Sequence, residues 1–389
     1  MSVRNLPQEL VDKIVDVITG PKQMNSLLSC ALVSRAFTFP AQKIIFRTIL
    51  LRVGATEQGL EIGARLSASL SISPHLSSFI RNLTLSLHPE IMEPFLSMDL
   101  PQLRVLSLLP VARSNWDLFL TDSTICTVVA LFKPTIRSVK LDVLAFKDPH
   151  DFGRLIRGFG PHVQRLSLRN IYICGTTSES RSALPPPTIR PQIRHLSLWD
   201  CEREVPEWLI APLCSLDFGH LVELRTDGSA CPAFVELLRA SQSTLKSLTI
   251  TQRDLEAGLT LSFPLPALET FIAANIDVEA LPSLAGMVSD ALGLNSLHTI
   301  CVCLCDFGAL WPEHAEAHLL EFDQIMSGLP TPALDIVSLG LINPKADPNV
   351  DNGWFPCPSS NAKEELVLEF LPMLNARELV FVATLGRSA

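Results

Sequence analysis

Three short stretches hold residue types that could carry chemistry. Cys301-Val302-Cys303-Leu304-Cys305 offers thiols at alternate positions. Alternate residues of a strand stand about 6.6 Å apart, too far for three thiolates to share one tetrahedral zinc without a turn. His314-Ala315-Glu316-Ala317-His318 places two imidazoles one helical turn apart, but Ala315 stands where a hydrolytic zinc motif needs Glu. Gly158-Phe159-Gly160 lacks the third glycine and the preceding strand of a dinucleotide loop, and neither a P-loop nor G-x-S-x-G occurs. The expectation is a chain with no catalytic residues, no metal and no cofactor, one that works by binding.

What would position a binding surface is a phrase that keeps returning, apolar-x-x-apolar-x-apolar. It reads IRNLTL from Ile80, LRVLSL from Leu103, IRSVKL from Ile136, VQRLSL from Val163, IRHLSL from Ile193 and LVELRT from Leu221. It continues as LKSLTI from Leu245, LETFIA from Leu268, LHTICV from Leu297, LDIVSL from Leu334 and ARELVF from Ala376. The successive offsets are 23, 33, 27, 30, 28, 24, 23, 29, 37 and 42 residues. Each phrase predicts a short strand with alternate residues in the core, and the chain is expected to turn back through a helix or irregular segment, as at 149–159, 231–241 and 312–329. One such unit cannot bury its own apolar edge, so neighbours must stack into a solenoid. The Pro-rich run 184–191 and the segment 343–361 read as loops that account for wide offsets.

Composition agrees with a folded, non-membrane chain. Of 389 residues, 47% are hydrophobic and 18% charged, and no window approaches the ~18 uninterrupted apolar residues of a membrane span. Ten cysteines without a C-x-x-C pair suit reduced thiols, and Pro7, Glu9, Asp12 and Asp16 stand where a signal peptide would be apolar, so a cytoplasmic or nuclear location is expected. Charge is uneven. Residues 1–200 hold 22 Lys+Arg against 15 Asp+Glu (+7) and residues 201–389 hold 9 against 25 (−16), summing to the net −9. The acidic half argues against nucleic acid as the main ligand.

The first ~50 residues read as three helices. Leu10, Ile14, Val17 and Ile18 follow helical spacing behind Pro7. Asn25 or Ser26 could cap a second helix, and Pro40 would open a third with Ile44, Ile45 and Ile49. So small a unit needs less apolar surface than this for its own core, so part of it is expected to be covered by another protein.

Two resemblances follow from these residues. The phrase resembles leucine-rich repeats, whose L-x-x-L-x-L-x-x-N/C form is met in full at Ile193…Cys201 and Leu297…Cys305, while Ile171, Arg253 and Ile276 depart at the ninth position. Leu6-Pro7-x-Glu9-Leu10 with Ile14 and Ile18, Leu32-Val33-Ser34-Arg35-x-Phe37, and Pro40-Ala41-Gln42-x-x-Ile45-Phe46-Arg47 resemble an F-box of the kind common in fungal families. Together they imply an α/β chain: a three-helix F-box at 1–52, a linking helix at 53–78, and at 79–389 an irregular leucine-rich-repeat solenoid, a horseshoe of about eleven strand–helix units.

Function follows from the resemblance as an expectation. The chain would be the substrate-recognition subunit of an SCF-type cullin–RING ubiquitin ligase, with no nucleic-acid or membrane partner. Leu6, Pro7, Leu10, Ile14, Leu32 and Val33 would meet the adaptor subunit, and through it a cullin. An unknown target protein would lie on the concave face, formed by Lys140, Asp142, Arg165, Arg169, His195, Trp199, Glu223, Arg225 and Asp227. The alternative is an interaction scaffold not coupled to ubiquitination.

Overall fold

The computed structural model describes residues 7–18, 23–52, 58–111, 119–174, 190–211, 214–228, 232–261, 263–291, 296–304, 315–329, 334–342, 371–376 and 380–385. By contacts the chain divides into two units, Met1–Ser167 with Ile171–Pro191, and Leu168–Asn170 with Gln192–Ala389.

The first unit opens with α1 (Gln8–Val17), α2 (Met24–Val33) and α3 (Arg35–Ile45). Their own core is Val11, Val15, Leu27 and Ala41, with Ile18, Cys30, Phe37, Ile44 and Ile45 packed around it. Of the apolar positions read on α1, Leu10, Ile14 and Val17 stay exposed, because the buried face is one residue further on. Two helix starts also differ from expectation. Helix α2 begins at Met24, so Asn25 and Ser26 lie inside its first turn and cap nothing. Pro40 lies within α3, because extended Ser34 breaks the chain after α2 and its carbonyl accepts the N–H groups of Phe37 and Thr38. A proline there leaves the carbonyl of Ala36 without its helical donor. The side-chain amide of Gln8 supplies one from α1 at 3.4 Å.

The rest of this unit alternates strand and helix: β1 (Thr48–Leu51), α4 (Gln58–Ile72), a 3₁₀ turn (Pro74–Phe79), β2 (Asn82–Ser86), α5 (Pro89–Ser97), β3 (Val105–Leu109), α6 (Asp122–Leu131), β4 (Ser138–Phe146), α7 (Pro149–Arg157) and β5 (Arg165–Ile173), whose residues Leu168–Asn170 belong to the second unit. The strands pair in parallel and in chain order, Thr48 beside Asn82, Asn82 beside Val105, Val105 beside Ser138. Strand β1 extends the array by a strand that the repeat phrase does not flag. Ile49, expected in the third helix, is buried there.

The second unit repeats the design with β6 (His195–Trp199), α8 (Glu204–Ile210), β7 (Glu223–Asp227), α9 (Pro232–Ser241), β8 (Ser247–Thr251), α10 (Gln252–Glu256), β9 (Thr270–Ile276), α11 (Leu281–Asp290), β10 (Thr299–Leu304), α12 (Ala315–Ser327), β11 (Ile336–Ile342) and β12 (Val380–Leu385). Adjacent strands from β6 to β11 pair in parallel at the offsets read from the phrase. The last pair differs. Val337 lies beside Val380, an offset of 43 instead of 42, because Ala376 ends a short helix (Pro372–Ala376) and the strand starts later. Buried Asp323 holds that helix by accepting the backbone N–H groups of Met373 and Leu374 at 2.8 Å.

In both units alternate strand residues such as Leu83, Leu106, Leu166, Leu224, Phe271 and Val302 are at most 1% exposed. Counting from the first apolar residue of each phrase, the eighth position carries a second recurring feature. Val143, Asn170, Asp200, Gly228 and Asn275 all have positive φ, between 49° and 70°. The left-handed residue turns its successor inward, so that Leu144, Ile171, Cys201 and Ile276 at the ninth position are buried. The Cys201 thiol donates to the carbonyl of Leu168 at 3.4 Å, whereas the aliphatic residues at that position only pack. Among the described residues no helix is long and apolar enough to cross a membrane.

Candidate functional site

Two surfaces bring together the residues singled out by the sequence. The first lies on the helices. Pro7 is exposed, Leu10 and Ile14 are 47% and 42% exposed, and Leu32 and Val33 are 87% and 74% exposed. Leu6 lies outside the described residues. The sequence reading missed Met24 and Leu28, which share a face of α2 with Leu32 at steps of four, and both are exposed. These helices therefore fill their own core and still leave large aliphatic side chains outside it.

The second surface is the outward face of the strands. In the first unit Lys140 and Arg165 are exposed and Asp142 is half-buried. In the second unit Arg225 is exposed, while Arg169, His195, Trp199, Glu223 and Asp227 are half-buried. Here strand register dictates the contacts. His195 lies directly beside Glu223, and its Nδ1 is 2.8 Å from Oε2; Arg225 Nε donates to Oε1 of the same carboxylate at 2.5 Å. The imidazole hydrogen bond, aided by Arg225, holds the Glu223 carboxyl down to about 2 against the opposing effect of burial.

At the ends of these strands lies a group the sequence reading missed. Asp254 is completely buried at the start of α10, accepting from the Thr251 backbone N–H at 2.8 Å and from the Thr226 hydroxyl at 3.2 Å. The Thr251 hydroxyl lies 2.9 Å from Asp227 and 3.2 Å from Asp254. Burial pushes both carboxyls above their ordinary range. Exposed Arg253 pairs with Asp200. The signal was available in Thr251-Gln-Arg-Asp254, a capping box that starts a helix immediately after a strand. On the following strands Thr249 and Ala274 are buried.

Among the described residues neither surface sets a nucleophile beside a general base. No hydroxyl or thiol is bonded to the His195 ring among the described residues, and its carboxylate partner is already held by Arg225. Of the thiol run, Cys301 is half-buried with its thiol pushed up by burial, Cys303 is buried, and Cys305 lies outside the described residues, as does His314. The one grouping among the described residues with metal-ligand composition, Asp148, His150 and Asp151, is the cap of α7. There Asp148 accepts the Asp151 N–H at 2.9 Å. What the two faces can do is recognise: aliphatic stripes on one, fixed charges around a tryptophan on the other.

No family model matches the chain, and no curated protein matches it either. Among solved structures it is similar to one described as the crystal structure of a Rad7 and Elc1 complex in yeast. The identity is 14% and the TM-score 0.28, over 78% of this chain and 90% of that one. A likeness so distant bears on neither the fold nor the function.

Proposed function

We propose that this protein is a non-enzymatic substrate receptor of an SCF-type ubiquitin ligase, cytoplasmic or nuclear, whose first three helices dock on the adaptor subunit and whose strand repeats hold a target protein. One observation carries the reading: Leu10, Ile14, Leu32 and Val33, four of the residues that match the F-box pattern, lie outside the helices' own core. A helical unit with a complete core of Val11, Val15, Leu27 and Ala41 has no internal use for them. Burying aliphatic side chains at about 1.5–3 kcal/mol each supports a stable complex, before the cost of association. The repeats supply a charged outward face with Trp199 among Glu223, Arg225 and Asp227.

The test is co-purification of the full chain with an SCF adaptor subunit, wild type beside Leu10→Asp. Because Leu10 is not part of the core, the variant keeps its fold, and loss of binding in it alone supports the docking. A folded wild type that does not bind ends the ligase reading and leaves an interaction scaffold.

A further inference from the structure

The turns that precede β3, β4 and β5 share one wording: Pro101-Gln-Leu-Arg104, Pro134-Thr-Ile-Arg137 and Pro161-His-Val-Gln164. Each proline opens a turn, the next residue is exposed at Gln102 and His162 and half-buried at Thr135, the apolar residue is buried, and the last begins the strand ladder. Stacking is direct. The Arg104 carbonyl accepts the Arg137 N–H at 2.8 Å, and the Arg137 carbonyl accepts that of Gln164 at 2.8 Å. Over these turns lies an open depression of about 290 Å³, lined by Pro101, Gln102, Arg104, Pro134, Thr135, Arg137 and His162.

Three properties distinguish it. None of its described lining residues is acidic. Arg104 and Arg137 are exposed, and among the described residues neither guanidinium is engaged in an ion pair or side-chain hydrogen bond. The Thr135 hydroxyl is buried without a partner, an arrangement that costs stability unless something accepts from it. The positive column continues at the same register, since the Arg81 carbonyl accepts the Arg104 N–H and the Arg47 carbonyl accepts the Arg81 N–H. In the adjoining depression Asp99 is the one carboxylate, and Lys133 there is bonded to the Leu96 carbonyl at 3.0 Å.

We propose that this depression binds a phosphate dianion, either free or as the phosphoryl group of a modified side chain. A carboxylate is satisfied by one arginine fork, whereas two guanidinia, the Gln102 amide and the Thr135 hydroxyl on residues that line one space suit the three terminal oxygens of a tetrahedral anion. The space, about ten water volumes, holds the anion and the group that carries it. The site belongs to the first unit and stands independently of adaptor docking.

Calorimetry on the full chain with inorganic phosphate, beside fluorescence anisotropy with a phosphoserine peptide and its unmodified serine twin, tests it. Arg104→Gln with Arg137→Gln is expected to weaken binding at least about tenfold, as loss of charge-assisted hydrogen bonds does. Thr135→Val should weaken it a few-fold, and Arg65→Gln on α4 should leave it unchanged, with circular dichroism reporting the fold of each. Preference for the phosphopeptide over both phosphate and the serine twin assigns the source to a modified protein; equal affinity for phosphate and phosphopeptide assigns it to the free anion. Absence of phosphate and phosphopeptide binding by the wild type overturns the proposal. So does equal loss in Arg65→Gln, or full binding by the folded double variant.

Discussion

The three N-terminal helices and the strand repeats handle apolar residues in opposite ways. In the repeats from β2 to β11 the core positions of the phrase are sealed: Leu83, Leu106, Leu224 and Phe271 are at most 1% exposed. In the helices Leu32, Val33 and Val17 are more than 70% exposed, beside a core of only four fully buried residues. A repeat meets its neighbours in the same chain, so its hydrophobic debt is settled intramolecularly. Among the described residues α1 and α2 pack chiefly on α3, and their outer aliphatic side chains stay exposed.

The contrast sets an order of expected effects. Phe271→Ala, deep in the second unit, should lower unfolding free energy by about 3–5 kcal/mol in urea titrations, the cost of a large cavity. Asp254→Ala leaves the Thr251 N–H and Thr226 hydroxyl unsatisfied and should cost about 1–3 kcal/mol by the same measurement. Val143→Asn should gain up to about 1 kcal/mol, because a β-branched residue at φ 55° is strained where asparagine is tolerated. Glu223 offers a pH test. Its folded pKa lies below the ordinary 4.5, so its contribution is full above 4.5 and is lost as pH falls toward about 2. Acid titration of stability should be less steep in that window for Glu223→Gln. Leu32→Ser should change stability by no more than about 0.5 kcal/mol. A large loss there would show that the exposed stripe belongs to the fold after all.

Much of the architecture was legible because parallel stacking forces equivalent residues side by side. The phrase offsets from β2 to β4 and from β6 to β11 are the strand registers. Strand β1 escaped because Phe46-Arg-Thr-Ile-Leu-Leu51, which has the same form, continues a run already read as helix. The final register slipped by one because Ala376 is apolar enough to fill the pattern while belonging to a helix end. On α1 both Leu10/Ile14 and Val11/Val15 have helical spacing, and only packing decides which pair is buried. For the candidate face, alternation separated Lys140, Arg165 and Arg225, which are exposed, from the buried core positions. The buried Asp254 group did not follow from alternation, since it depends on where β8 ends and α10 begins.

The left-handed residue at the eighth position has a consequence for tolerance to change. It marks where a strand has delivered its core residues and the chain is released to turn. From there to the next phrase the length varies widely, with offsets from 23 to 43 residues, yet the pairing resumes in parallel. Insertions and deletions in those return segments therefore cost loop entropy, which grows only slowly with length, and leave the ladder unshifted. The strands act as a fixed frame on which the connecting segments are free to diverge, so new surface can be acquired without refolding the old.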